Sequence, residues 1–504
     1  MKNTLKYTFL SALFLGVVAC DVDNTLPEIK GEAENTTTLV AGTADFSNYV
    51  ALGASFTAGF TDNALFKAGQ ENSFPNILAK KFAMVGGGTF TQPLMNDNFG
   101  GLILAGNPVL DPATNQRLFN ERLIFNGTGP AALNSVIPSA MSTTDFALNN
   151  PMGPFKNLGV PGALSTHFVA PGYGNLANFP AAANPYAIRV AGNTNSSLLE
   201  LFVAQAPTFF TLSEFGGNDV LGYATSGGDG TKPITPTPVF EAVLGNVETA
   251  LKATGAKGVI ANLPYITSLP HFTTIPYNAV PLDAATATAL NQGYAAYNGG
   301  IQGALAALSA SGAFTAEEAA KRTINFSAGQ NAMVIIDESL TDLGAINPAF
   351  AGLPKYRQAT AADLFVLPLS SLIPQGYGTQ TALEDKWVLT PEEQAEIKTA
   401  VDAYNAKLKA VADANGYAFV DLNAVLQQAA TTGLKFDTYN LTTSLVTGGL
   451  VSLDGIHLTG RGYALMANKM LEAIDATYGS NFAAGKDGLA KADSYPTNYS
   501  PTLP

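Results

Sequence analysis

The chain has 504 residues but only one cysteine, Cys20, and three histidines. A lone cysteine excludes an intramolecular disulfide and any cysteine-based metal centre. Charged residues are scarce at 13%, about half the roughly 25% of ordinary soluble domains. Gly, Asn, Thr and Ala fill the gap, as is common in loop-rich enzymes that work outside the cytoplasm. The formal net charge is −13 with no offsetting basic cluster, which excludes a nucleic-acid partner. No H-E-x-x-H motif, clustered carboxylate motif, P-loop or dinucleotide glycine fingerprint occurs, so neither a metal nor a cofactor is expected. Beyond the first twenty residues no apolar run is long enough to cross a bilayer. What remains is a 47% hydrophobic chain, ample for a sizeable core and against global disorder.

The N-terminus accounts for the cysteine. Met1 to Lys6 carries two lysines, Tyr7 to Val18 is a short apolar stretch, and Val17-Val18-Ala19-Cys20 closes it. This resembles a bacterial lipobox, in which cleavage precedes the cysteine and the thiol is acylated. The alternative is an ordinary signal peptide with a chance cysteine. On the lipobox reading, residues 1–19 are a lipoprotein signal peptide and Cys20 carries lipid that tethers a globular body to a membrane, each buried CH₂ adding about 0.8 kcal/mol. The expected location is the cell envelope, extracytoplasmic, with the outer membrane or cell surface favoured over the inner membrane. Residues 20–46 are polar and acidic without apolar period and read as a flexible spacer.

Order is expected from about Ser47, where N-Y-V-A-L-G-A-S-F is a strand running into a glycine turn. Ser73 to Phe82 reads as a helix capped by Ser73, with Pro75 in its first turn. Residues 84–155 are rich in Gly, Asn and Pro and read as an irregular insertion of the kind that forms lids. Alternation then returns. Helices are expected at Leu198–Ala204, Val239–Ala253, Ala284–Ala310, Pro391–Asn415 and Gly460–Thr477, and strands at Pro207–Ser213, Gly258–Leu263, Met333–Ile336 and Ala418–Leu422. Thr390 before Pro391, followed by Glu392 and Glu393, is a helix-start signal. Strands separated by helices imply crossover connections, hence an α/β architecture with a parallel sheet and helices on both faces. The segment 479–504 is polar, bears prolines and is expected to wrap the surface.

Three short motifs each follow a strand, the edge of an open α/β sheet where catalytic groups gather. Gly53-Ala54-Ser55-Phe56 places a serine in a tight strand-to-helix turn, where the next backbone N–H can face a substrate oxygen. Gly216-Gly217-Asn218-Asp219 offers an amide able to hydrogen-bond a developing oxyanion, an interaction worth about 3–4 kcal/mol in acyl transfer; a plain Asx turn is the alternative. Asp454-Gly455-Ile456-His457 has a spacing that lets the carboxylate reach the Nδ1 side of the ring and leaves Nε2 for a serine proton. A helix-cap carboxylate beside a surface histidine is the competing reading.

Ser, Gly, Asn and His blocks in this order resemble the SGNH (GDSL-like) hydrolases over about residues 47–478. The resemblance implies a three-layer, flavodoxin-like sandwich with a central parallel sheet of about five strands, here carrying insertions near 84–155, 164–197 and 265–390. It implies Ser55 as nucleophile, His457 as base, Asp454 as its orienting carboxylate and Asn218 as an oxyanion donor. The glycine block best matches N-L-G-V-P-G-A at 157–163, where Gly162 would supply an oxyanion N–H and Gly159 competes for the role. The family's GDSL aspartate is replaced by Ala54, which removes a carboxylate that supports the loop in relatives.

The implied activity is carboxylic ester hydrolysis without a cofactor, on a small-molecule, lipid or glycan ester. A lipase-like acyl hydrolase leads; a carbohydrate O-acetylesterase and a surface binding lipoprotein that keeps the fold without catalysis are the alternatives. Among the remaining candidates, His167 and His271 read as loop or packing residues, Glu214 as a polar group at the sheet edge, and Asp219 as the residue that holds its turn.

Overall fold

Tyr49–Gly53 (β1) is buried at all five positions, which requires cover on both of its faces. In the computed structural model, which describes residues 36–503, four more strands supply a parallel sheet around it. In chain order the framework continues with helices Ser55–Ala58 (α1) and Phe74–Ala83 (α2), strand Asn157–Gly159 (β2), helix Leu198–Ala204 (α3), strand Phe209–Leu212 (β3), helices Gly217–Thr225 (α4) and Thr237–Thr254 (α5), and strand Lys257–Ala261 (β4). It ends with helix Pro391–Asn415 (α6), strand Ala418–Val420 (β5) and helices Leu422–Thr431 (α7) and Gly460–Tyr478 (α8). The spatial order is β5-β4-β3-β1-β2, all parallel. Ala51 lies opposite Asn157 on one side and Thr211 on the other, Thr211 opposite Val259, and Val259 opposite Ala418.

Successive side chains of a strand point to opposite faces, and β3 shows what each face meets. Phe209 packs edge-on against Phe82 of α2 and Tyr478 of α8. Its neighbour Phe210 packs against Phe202 of α3 and Tyr417. The sheet is therefore covered by helices on both faces, as the alternation of elements predicts. The order reverses between β1 and β3, so the crevice beyond their C-terminal ends is the topological switch point, the usual ligand position in such sheets.

Several sequence expectations need correction. Val334–Ile336 is a strand, but it pairs antiparallel with Tyr356–Gln358 and takes no place in the central sheet. The missing fifth position is filled by β2, three residues long, inside the glycine block. The 265–390 insertion instead carries the helix Ala284–Leu308 and small cores of its own, such as that around Met333, Ile335, Phe365 and Leu383. Ser73 stands at the N-cap of α2 without capping it, its hydroxyl hydrogen-bonding Gln92 instead. The spacer expectation also fails at its end. Phe46 stacks on Phe82 with ring centroids 4.0 Å apart, and Thr43 N–H donates to the Tyr478 carbonyl at 2.8 Å, so residues 38–46 belong to the folded body. Cys20, the signal peptide and most of the expected spacer lie outside the described residues. The C-terminal segment wraps as expected and also plugs: Tyr499 packs edge-on against Phe66, and buried Arg122 donates to the carbonyls of Tyr499 and Ser500.

Candidate active site

Ser55 is the first residue of α1 and follows β1 after a single linking residue, Ala54. The turn is tight because Gly53 lacks a side chain: a Cβ there would lie 2.0 Å from Thr57 Oγ1 and 2.8 Å from the Ser213 carbonyl. The first turn of α1 is capped from a distance. The Glu214 carboxylate accepts the Ala54 N–H at 2.7 Å, the Thr57 N–H at 3.3 Å and the Thr57 hydroxyl at 3.1 Å. Burial pushes the Glu214 carboxyl up, against these hydrogen bonds, which favour its ionised form. Glu214 itself sits at φ +52°, a left-handed backbone that non-glycine residues rarely adopt and that directs its side chain back under β1. Glu214, two residues beyond β3, thus supplies the carboxylate that anchors the turn at Ala54. Nothing in the sequence around Glu214 beyond its polarity points to this role.

Asp454 and His457 lie on a tight turn closed by the Ser452 N–H to His457 carbonyl bond at 2.7 Å and a bridge between Val451 and Leu458. Asp454 Oδ1 accepts the backbone N–H groups of Ile456 and His457, each at 2.8 Å, and the Ser452 hydroxyl at 3.0 Å. Its Oδ2 accepts the Asn63 N–H at 2.9 Å and lies 2.8 Å from His457 Nδ1. Burial alone would raise the Asp454 pKa, but the charge of His457 and these hydrogen bonds outweigh it and hold the carboxyl well below its usual range. An ionised carboxylate only accepts, so the proton between the pair sits on Nδ1, and in the neutral form of the ring Nε2 is the free acceptor. Gly455 is forced by packing: at φ +75°, a Cβ would lie 2.7 Å from His271 N.

The two motifs meet through aromatic rings. His457 lies 5.8 Å from the Phe56 ring and 4.6 Å from the Phe60 ring, centroid to centroid, both on the segment that begins with Ser55. Ser55, Glu214, Asn218 and His457 line one cavity that opens to solvent. Asn218 Nδ2 donates to the Ala163 carbonyl at 2.9 Å, which fastens the third motif to the glycine block. That block is joined to the serine turn by the Val160 N–H to Gly53 carbonyl bond at 3.1 Å. The two glycine candidates now separate. Gly159 lies within β2 and its N–H donates to the Asn157 side chain at 2.9 Å. Gly162, at φ +80° in the following turn, has no hydrogen-bond partner for its N–H among the described residues.

The bland readings of the other candidates fit their surroundings. Asp219 accepts the Ser165 N–H and hydroxyl at 2.7 and 2.6 Å and so holds its turn. His167 accepts the Leu164 N–H and stacks on Tyr173. His271 packs behind the Asp454 loop, its N–H on the Gly455 carbonyl at 3.0 Å. Among the described residues the one carboxylate group close enough to share a cation is Glu338, Asp385 and Glu393. None of the three lines the cavity. Burial and the neighbouring negative charges of Glu338 and Glu393 push the Asp385 carboxyl up.

No protein-family model matches the chain, and neither a curated protein nor a solved structure was found to be similar to it.

Proposed function

We propose that the protein is a serine ester hydrolase of the SGNH type, acting through Ser55, His457 and Asp454. The observation that carries this reading is the convergence of Ser55, Asn218 and His457, 402 positions apart at their extremes (457 − 55), on one cavity at the switch point of the sheet. His457 Nε2 takes the Ser55 proton as Oγ attacks the ester carbonyl. The tetrahedral oxyanion is held by the Gly162 N–H, by the Asn218 amide hydrogen not spent on Ala163, and by the Ser55 N–H at the start of α1. His457 then protonates the departing alcohol, and water repeats the sequence on the acyl-enzyme. Asp454 keeps the ring in the tautomer both steps need.

The deciding experiment is covalent labelling by a fluorophosphonate probe. Wild type is expected to label and Ser55→Ala to remain unlabelled, with p-nitrophenyl ester turnover lower by about 10³–10⁶-fold. A binding module would not label, and equal turnover in the variant would remove Ser55 from the mechanism.

The lipobox-like N-terminus supports placing this activity at a membrane through lipid on Cys20. Among the described residues no helix is long and apolar enough to cross a bilayer. Cys20→Ala is expected to move the protein from the detergent phase to the aqueous phase in a partition assay.

A further inference from the structure

We propose that the cavity beside Ser55 receives the acyl chain of a medium- or long-chain fatty acid ester. This rests on the serine-esterase reading above and adds the substrate class to it. Past the polar groups of the site, the walls come from the loop after β4, from α7, from the segment that precedes α8 and from α8 itself. Leu263, Leu269, Leu426, Leu450, Leu465 and Met466 are between 2% and 7% exposed, yet all face the same unfilled space. Protein interiors are close-packed, so a hollow framed by buried aliphatic side chains is a departure from the rule. Apolar recesses of this kind take up hydrocarbon.

The polar groups within reach are already committed. Asn262, the one polar side chain among these walls, donates to Asp421 at 2.8 Å and accepts the Asn423 N–H at 3.0 Å. Glu214 is engaged by Ala54 and Thr57. A sugar ring placed here would leave its hydroxyls without partners, a heavy desolvation cost. An acetyl group is too short to cover the six aliphatic side chains of these walls.

The order of bond changes selects the acyl side of the ester. Ser55 Oγ bonds to the carbonyl carbon, the carbon–oxygen bond to the alcohol breaks, and the serine proton passes through His457 to that alcohol, which must leave before water can enter. The acyl chain stays attached to Ser55 until water adds and the free acid departs. A recess walled by buried side chains suits the group that stays.

The test uses the full chain and p-nitrophenyl esters from two to sixteen carbons. With wild type, kcat/KM should rise by up to about fourfold per methylene over the first several carbons and exceed the acetate value by at least about 100-fold at its maximum. Alkyl acetates of growing alcohol length should show no such rise. Leu426→Trp should lower kcat/KM for the dodecanoate ester at least about tenfold, with the acetate ester little changed and Leu426→Met near wild type. A flat or falling acyl series in a protein whose Ser55 labels normally would overturn the acyl assignment and leave the esterase reading intact, as would a rise confined to the alkyl acetates. If Ser55 neither labels nor turns over any ester, the esterase reading fails by itself. The hollow is then judged by dodecanoate displacing a fluorescent fatty acid from Ser55→Ala: binding weakened about tenfold by Leu426→Trp upholds the receptacle, and no binding overturns it.

Discussion

Glu214 accepts the backbone N–H of Ala54 at 2.7 Å across 160 positions of chain, so the segment just after β3 holds the residue that precedes the candidate nucleophile. Nothing in the immediate surroundings of Ser55 replaces that anchor, because α1 has no side-chain cap of its own.

Glu214→Gln is therefore expected to act on positioning. The amide can still accept one N–H, but its NH₂ group turned toward the Thr57 N–H would leave a donor unpaired, at a cost of about 1–3 kcal/mol. The expected result is a kcat lowered about 10–100-fold with KM little changed, and a small drop in thermal midpoint. Steady-state kinetics alongside a melting curve checks it; unchanged kcat would make Glu214 a bystander.

Asp454→Asn separates orientation from fold. The amide can keep the Ile456 and His457 N–H groups but cannot hold the Nδ1 proton as a carboxylate does. A loss of about 10⁴-fold in kcat is expected from the wrong tautomer, with the protein still folded by circular dichroism. A loss below tenfold would mean that His457 does not depend on this carboxylate.

Asp62 and Asp454 face each other with opposite pH signs. Burial, reinforced by the Asp454 charge and offset by the Leu453 N–H and by Arg122, pushes Asp62 up to about 7. The folded protein thus holds this proton more tightly than the unfolded chain, whose aspartates titrate near 3.8. The stabilisation is full below that value and is lost as pH rises to about 7. Asp454 is lowered on folding, so its contribution is present above the unfolded value and is lost as pH falls. Asp62→Asn should therefore raise stability at pH 7.5 by a few kcal/mol and change little at pH 4. Urea denaturation across that range, for variant and wild type, distinguishes this from a uniform shift.

Removing residues 498–504 should cost about 3–5 kcal/mol, the order found when a buried charge loses its partners. Arg122, wholly buried, would lose the Tyr499 and Ser500 carbonyls, and Asn72 would lose the Tyr499 hydroxyl. The readout is the denaturation midpoint. An unchanged midpoint would show that the tail contributes no net stability.

Most of the framework was legible in the sequence where local signals were strong. Thr390 and Glu393 form the capping box that starts α6, with Pro391 at its first position, and the Ala284 helix begins where its alanine-rich pattern does. β2 was not legible as a strand because three residues carry no period. Met333–Ile336 was legible as a strand but not its place, since an apolar run does not state which edge it will join. The site divides the same way. Ser55, Asn218, Asp454 and His457 stood in short motifs with a recognisable order. Glu214 could not be assigned, because its role depends on a left-handed backbone and a partner far away in the chain, and neither leaves a local pattern.

The entry of the chain into the folded body has a practical side. Thr43 bonds to the Tyr478 carbonyl, and its own carbonyl accepts from Lys257 at the start of β4, whereas the cavity opens at the opposite ends of the strands. A chemical handle grafted just ahead of Thr38 would thus fix the protein to a bead or sensor chip by the end remote from Ser55. Immobilised in that orientation, the protein would present its mouth to the flowing solution.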